Sequence, residues 1–130
     1  MNATSSTMQL WIEKVMDDSV LSVNSTVSSY DAAKLMEESK AGAIVVLENQ
    51  IPTGIVTNTD LAVKIIAHSY PVDTPIRRIM SSPLISISPE TDMKTASELM
   101  TLRKIRKLPV IDNDQVIGMI VASKIAEPNH

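Results

Sequence analysis

Thr57 and Asp60, in the stretch GIVTNTDL at residues 54–61, are the residues whose types and spacing best suit chemistry. A hydroxyl residue followed three positions later by an acid, before an apolar run, is typical of a capping box at a helix N-terminus. The same geometry suits binding, because a helix N-terminus attracts phosphate and an ionised aspartate accepts hydrogen bonds from the neighbouring hydroxyls of a ribose. Capping and binding are compatible, so both interpretations stand.

The composition is that of a folded globular protein: 130 residues, 44% hydrophobic and 21% charged. No apolar run is long enough to span a bilayer, and the polar start lacks the features of a signal peptide. The absence of cysteine excludes disulfides, thiol nucleophiles and zinc–thiolate sites, and it suits the cytoplasm, where we expect the protein to reside. A net charge of −3 argues against general binding to nucleic acid.

The chain contains one sequence unit twice. Sliding the sequence against itself produces a match at a single offset of 64 residues, without a gap. Identical pairs at this offset include Met16/Met80, Ser22/Ser86, Ala32/Ala96, Leu35/Leu99, Met36/Met100, Lys40/Lys104, Val46/Val110, Asn49/Asn113 and Gly54/Gly118. Two copies of one supersecondary unit are therefore predicted, over residues 1–69 with a leading helix and residues 70–130 with a linker helix and a shortened final helix.

Each copy predicts the same order of elements. A short strand (VLSV at 20–23, LISI at 84–87) precedes a helix whose apolar residues recur at i, i+3 and i+4. A second strand follows (AIVVLE at 43–48, KLPVID at 107–112), then a turn, and then a third strand that we expect to start after Gly54 or Gly118. We expect these two glycines to adopt positive φ. A last helix is predicted over residues 60–69 of the first copy.

Two longer motifs carry a family resemblance. The first copy contains M…VLSV…A…LM…AIVV…GIVTxxD, and the second contains IMSSPLISISPETDMKTASELM…RKLPVIDNDQVIGMI. With them the chain resembles a free-standing tandem pair of cystathionine-β-synthase-type (CBS) domains. The resemblance implies an α/β (α+β) fold of two pseudo-symmetric β-α-β-β-α units packed sheet to sheet. It also implies a homodimer, and a regulatory role in which an adenosine-containing ligand binds between the units.

The resemblance assigns the ligand contacts to residues of both copies. Asp60 would hold the sugar hydroxyls, and Arg106 with Lys107 would face the phosphates. The pseudo-symmetric cleft would have Lys124 in place of Asp60 and Gly42 in place of Arg106, and lysine cannot accept hydrogen bonds from a diol. One nucleotide per chain (AMP, ADP or ATP) is therefore expected, at Thr57, Thr59, Asp60, Pro83, Leu84, Ile85, Ile105, Arg106, Lys107, Pro109 and Lys124.

Other functions receive less support from the residues. Neither histidine lies in a motif, so no metal site, cofactor or catalytic nucleophile is predicted, and we expect no enzyme activity. The basic cluster at 103–107 could read as an RNA-binding patch, but one Trp, two Tyr and no Phe offer few stacking platforms. A ligand-free dimerising scaffold remains the competing class, and S-adenosylmethionine or NAD(H) remain alternative ligands. The regulated partner protein is not identified by the sequence.

Overall fold

The computed structural model of the chain describes the backbone of residues 12–125 and the side chains of residues 12–123. The chain divides into two compact units, which we call the first unit and the second unit. Of the described residues, 20–85 form the first unit, and 12–19 together with 86–125 form the second unit.

Each unit contains both helices and strands, and the architecture is mixed α/β, as the sequence predicts. In chain order the elements are α1 (Ile12–Val15), β1 (Ser22–Asn24), α2 (Ser29–Ser39), β2 (Ala43–Glu48), β3 (Ile51–Thr57), α3 (Asn58–Asp60), a π-helix (Leu61–Ala67), a 3₁₀-helix (Ile76–Arg78), α4 (Met93–Arg103), β4 (Lys107–Asp112), β5 (Gln115–Val121) and α5 (Ala122–Ile125). In the first unit, β1 is parallel to β2 and β2 is antiparallel to β3. In the second unit, β4 and β5 form an antiparallel pair.

Helix α2 shows why the apolar periodicity was informative. The Ser28 side chain caps its N-terminus by accepting a 3.0 Å hydrogen bond from the Asp31 backbone N–H. Ala32 and Met36, one turn apart, are buried in the core. The helix ends at Lys40, whose left-handed conformation (φ 55°) terminates the helical hydrogen bonding.

Helix α4 repeats this arrangement in the second unit, with a charged cap. The carboxylate of Asp92 accepts a 2.7 Å hydrogen bond from the Thr95 backbone N–H. This hydrogen bond is the largest cause that lowers the pKa of Asp92 below its ordinary value of 3.8. Ala96 and Met100 are buried, which confirms the matched core positions.

The second strand of each copy has the bounds that the sequence predicts, but the third strand does not. Strand β3 begins at Ile51 and β5 at Gln115, so each glycine lies within a strand rather than before it. The reason is the tight turn between the strands, in which only two residues reverse the direction of the chain. Asn49 and Gln50 have φ of 50° and 67°, the left-handed conformation of a two-residue hairpin turn.

The first strand of the second copy was predicted at 84–87, and this prediction of a regular strand is wrong. Only Ile87 pairs, in a single parallel bridge with Val110. Its backbone N–H donates to the carbonyl of Pro109, and its carbonyl accepts from Ile111. The apolar alternation therefore reflects partial burial of the segment rather than a continuous ladder.

The prediction of positive φ at Gly54 and Gly118 is also wrong, because neither glycine has a positive φ. The physical reason is close packing. A Cβ on Gly54 would lie 2.5 Å from Sδ of Met80, and a Cβ on Gly118 would meet Sδ of Met16. Each glycine therefore makes room for the methionine that lies against its strand.

The buried core positions match between the two sequence copies. Two flanking segments, however, belong to a different unit from the one that their position in the sequence suggests. Ile76 and Ile79 are fully buried in the core of the first unit, and Ile12 is fully buried, in the second unit. The units therefore group these segments differently from a boundary between residues 69 and 70. The first core comprises Ala32, Met36, Ile44, Val46, Val56, Ile76 and Ile79.

Candidate functional site

Thr57 and Asp60 form a complete capping box where β3 ends and the following helix begins. The backbone N–H of Thr57 donates to Oδ2 of Asp60 at 2.8 Å, and Thr57 Oγ1 donates to the same oxygen at 3.1 Å. In return, the backbone N–H of Asp60 donates to Thr57 Oγ1 at 3.3 Å. The cap interpretation of the sequence is confirmed, and the carboxylate is held in one orientation at the helix N-terminus.

The helix that follows this cap starts earlier than residue 60, and most of it is a π-helix. Asn58 begins the helical turn, and its backbone N–H donates to the carbonyl of Gly42 at 3.3 Å. From Leu61 to Ala67 the turns are wider, and the N–H of His68 donates to the carbonyl of Val63 five residues back. π-helical turns are rare and frequently occur at functional sites.

Ser81 is a site residue that sequence reasoning missed. Its hydroxyl donates a 3.1 Å hydrogen bond to Oδ1 of Asp60, 21 residues away along the chain. Two backbone hydrogen bonds with Ile55, of 2.8 and 3.1 Å, hold Ser81 beside β3. Ile55 lies two residues before Thr57 in this strand. The sequence contained one weak signal for this position: Ser81 directly follows Met80, which is identical between the two copies.

The structure places part of the predicted site in the first unit. Thr57 and Asp60 are half-buried, Thr59 is exposed, and the segment of Pro83, Leu84 and Ile85 follows Ser81. The peptide bond before Pro83 is cis. Pro83 is exposed, whereas Leu84 and Ile85 are half-buried. Within this unit, therefore, Ser81 contacts the predicted sugar-binding carboxylate and lies two residues before the predicted site residues 83–85.

The remaining predicted residues belong to the second unit. Arg106 is exposed, and Ile105 and Lys107 are half-buried. Pro109 lies in β4 and is almost fully buried, so a ligand would reach it only through a change in packing. The backbone of Lys124 lies in α5, and its side chain is outside the part that the structure describes.

A cavity of about 430 Å³ in the second unit is lined in part by two of the predicted residues, the sequence neighbours Ile105 and Arg106. It lies at the C-terminal end of α4, and the carbonyl of Arg106 at its edge accepts a 2.8 Å hydrogen bond from the N–H of Ala122. Basic side chains at its rim could attract an anion. The cavity is lined by Ser97, Met100, Thr101, Lys104, Ile105, Arg106 and Ala122.

The described residues contain neither a cluster that could hold a metal ion nor a helix that could span a membrane. No group of three or more histidine, aspartate or glutamate side chains among residues 12–123 is arranged to hold a metal ion. No helix in the same part of the chain is long and apolar enough to cross a membrane.

The chain belongs to the CBS domain family. The family model for the CBS domain matches it twice, at residues 12–67 and 76–127. This result confirms the resemblance seen in the two sequence copies, and each match covers one copy of the repeat.

Relatives and solved structures agree with this assignment. The chain is 30% identical to the CBS domain-containing protein YhcV of Bacillus subtilis, over 88% of this chain and 82% of that protein. It is 37% identical to the mitochondrial CBS domain-containing protein CBSX3 of Arabidopsis thaliana, over 85% of this chain but 52% of that protein. A hexameric CBS-CP12 protein from bloom-forming cyanobacteria has the same fold, with a TM-score of 0.81 and 30% identity over 89% of this chain and 69% of that one.

Proposed function

We propose that this CBS pair is a regulatory module that binds one adenine nucleotide (AMP, ADP or ATP) per chain. The observation that carries the proposal is the carboxylate of Asp60, half-buried and fixed by Thr57 and Ser81. A fixed, ionised carboxylate is an acceptor of the kind that the vicinal hydroxyls of a ribose require. The Thr57 hydroxyl contacts this carboxylate, and Thr59 belongs to the same helical turn and is exposed.

The phosphate side of the proposal rests on the family resemblance. Arg106, Lys107 and Lys124 supply positive charge in the sequence of the second copy, and the resemblance implies that a ligand held by Asp60 also contacts these residues. The matched cleft would have Lys124 instead of an acid and Gly42 instead of Arg106, so it lacks both the diol acceptor and the phosphate donor. For this reason we expect one ligand per chain.

The proposed mechanism is a shift in conformational population rather than catalysis. A ligand that contacts both sequence copies favours the arrangement in which both sets of contacts form. A partner protein that distinguishes the two arrangements would then receive the signal. The absence of cysteine suits the reducing cytoplasm, which is the proposed location.

A ligand-free scaffold is the second candidate, and the capping box favours it. The hydrogen bonds between Thr57 and Asp60 give the motif a structural role without any ligand, so the motif is explained if the pair serves only to dimerise. S-adenosylmethionine and NAD(H) are alternative ligands, because both contain an adenosine moiety with the same sugar hydroxyls.

We also propose a homodimer, formed through an apolar surface of the first unit. The surface lies around a groove of about 200 Å³ and exposes Tyr30, Ile66 and Val72, with Ile66 76% exposed. Apolar area of this kind is stabilised when a second surface covers it. The hexameric CBS-CP12 protein is an example of self-association among the similar structures.

A ligand panel distinguishes these candidates. The melting temperature is measured with AMP, ADP, ATP, GTP, S-adenosylmethionine and NADH, and calorimetry follows on any ligand that raises it. Binding to the native state alone raises the melting temperature, by an amount that grows with the ratio of ligand concentration to Kd. The proposal expects a shift with at least one adenine nucleotide and a smaller one with GTP. No shift with any ligand would favour the scaffold.

A further inference from the structure

The Asp60 carboxylate is already engaged by three hydrogen bonds within the protein. Oδ2 accepts from the Thr57 backbone N–H at 2.8 Å and from Thr57 Oγ1 at 3.1 Å, and Oδ1 accepts from the Ser81 hydroxyl at 3.1 Å. An ionised carboxylate offers about four acceptor positions on its two oxygens. One position, on Oδ1, therefore remains for a ligand.

A vicinal diol needs two acceptor positions, one more than the carboxylate has open. We propose that the Ser81 hydroxyl competes with the ligand for Oδ1 of Asp60, and that it leaves this oxygen when a vicinal diol binds. Ser81 thereby lowers the preference of the site for ribose over sugars with a single hydroxyl, because only the diol has to displace it. This inference rests on the proposed function, because it assumes that Asp60 receives the sugar.

Ser81 is the internal donor that can leave most easily. Its backbone is fixed by the pairing with Ile55, but its side chain is exposed and turns about a single bond. The Thr57 hydroxyl is more constrained, because it also accepts the hydrogen bond of the Asp60 backbone N–H at 3.3 Å. The Thr57 N–H belongs to the strand end and cannot rotate. Displacement of Ser81 thus requires no change in the backbone.

The second copy has a related pair of residue types at the matched positions. Asp17 occupies the position of Ser81, and its backbone pairs with Met119 as Ser81 pairs with Ile55. Lys124 occupies the position of Asp60. One copy thus has a donor beside the strand and an acceptor on the helix, and the other has an acid beside the strand and a base on the helix. The residue types at these two positions are thus a hydrogen-bond donor and an acceptor in both copies, in opposite order.

Calorimetry with two nucleotides tests the competition. AMP and 2′-deoxyadenosine monophosphate are titrated into the wild type, Ser81→Ala, Ser81→Thr and Asp60→Asn. The exposed Ser81 hydroxyl regains a hydrogen bond to water when it leaves the carboxylate, so its net competition is modest and Ser81→Ala should bind AMP about two- to tenfold more tightly. Its affinity for the deoxynucleotide should not change, since one hydroxyl fits the open position. Ser81→Thr keeps the hydroxyl and should match the wild type.

Each other outcome has a distinct meaning. Unchanged or weaker AMP binding by Ser81→Ala overturns the competition, and so does an equal gain for both nucleotides, which would reflect a general loosening of the segment. An AMP affinity of Asp60→Asn equal to that of the wild type, or a wild type that binds neither nucleotide, overturns the proposed site and this inference with it. Failure of the proposed function would therefore appear in the wild type or Asp60→Asn, whereas failure of the competition would appear in Ser81→Ala.

Discussion

Met80 lies against the Cα of Gly54 so closely that a Cβ there would come within 2.5 Å of its Sδ and 2.9 Å of the Ser81 carbonyl oxygen. Gly118 has the matching contact with Met16, but there the three nearest atoms all belong to the methionine side chain. A thioether side chain can move aside, whereas the backbone oxygen of Ser81 is held by its pairing with Ile55. The two glycines are therefore not equally tolerant of substitution.

Gly54→Ala should lower the free energy of unfolding by about 1–3 kcal/mol, the usual cost of overpacking. Gly118→Ala is the matched control and should lower it less, because Met16 can change rotamer. Urea denaturation of the three proteins measures both effects. Equal losses, or a larger loss for Gly118→Ala, would show that the backbone oxygen is not the obstacle.

Asp60→Ala should weaken AMP binding by roughly 2–4 kcal/mol, because hydrogen bonds to a charged group contribute about 1.5–3 kcal/mol each. Calorimetry measures the affinity. Asp31→Ala is the control, since Asp31 also occupies the first turn of a capped helix in the same unit. It should leave the affinity unchanged. If Asp60→Ala bound AMP like the wild type, Asp60 would serve only as a cap.

Asp92 should make the stability of α4 depend on pH. Its pKa is lower in the folded than in the unfolded chain, so its stabilising effect is present above the unfolded pKa and is lost as pH falls through the folded pKa. Asp92→Ala should therefore have a lower melting temperature than the wild type at pH 7, and the difference should narrow below about pH 4. Ser28→Ala removes the neutral cap of α2, and the amount by which its melting temperature falls below that of the wild type should stay nearly constant with pH. A deficit of Asp92→Ala that is the same at every pH contradicts the role of the charge.

Ile76→Ala and Ile12→Ala should destabilise different units. Both side chains are fully buried, so each truncation should cost about 2–5 kcal/mol. Hydrogen exchange locates the effect: Ile76→Ala should accelerate exchange in β2 and β3, and Ile12→Ala in β4 and β5. The reverse pattern would mean that the flanking segments stay with their own sequence copies.

Ile66→Asp should shift the proposed homodimer toward monomer, because a charge on an apolar contact surface loses its hydration on association. Light scattering during gel filtration measures the mass. Leu102→Asp is the control, because Leu102 is similarly exposed, at 75%, but lies in the second unit. A dimer that resists Ile66→Asp would place the contact elsewhere.

Local patterns in the sequence predicted much of the fold. The bounds of β2 and β4, the apolar face of α2 and the cap of Thr57 with Asp60 all depend on neighbours within a few residues. Hydrogen bonds of this range are encoded by residue type and spacing, so the repeat could be read directly. The nucleotide site itself stays a prediction, which rests on the resemblance and on the orientation of one carboxylate.

The sequence by itself determined that one unit occurs twice, where its helices and central strands run, and that an acid caps the helix after β3. Only the tertiary structure decided that Ser81 reaches Asp60, that Met80 covers Gly54, and that Ile76 completes the core of the first unit. The first two contacts join residues more than 20 positions apart, and all three form where the path of the chain brings distant segments together. Residue spacing specifies what a segment forms with its near neighbours, whereas burial in a shared core decides which distant segment lies beside it.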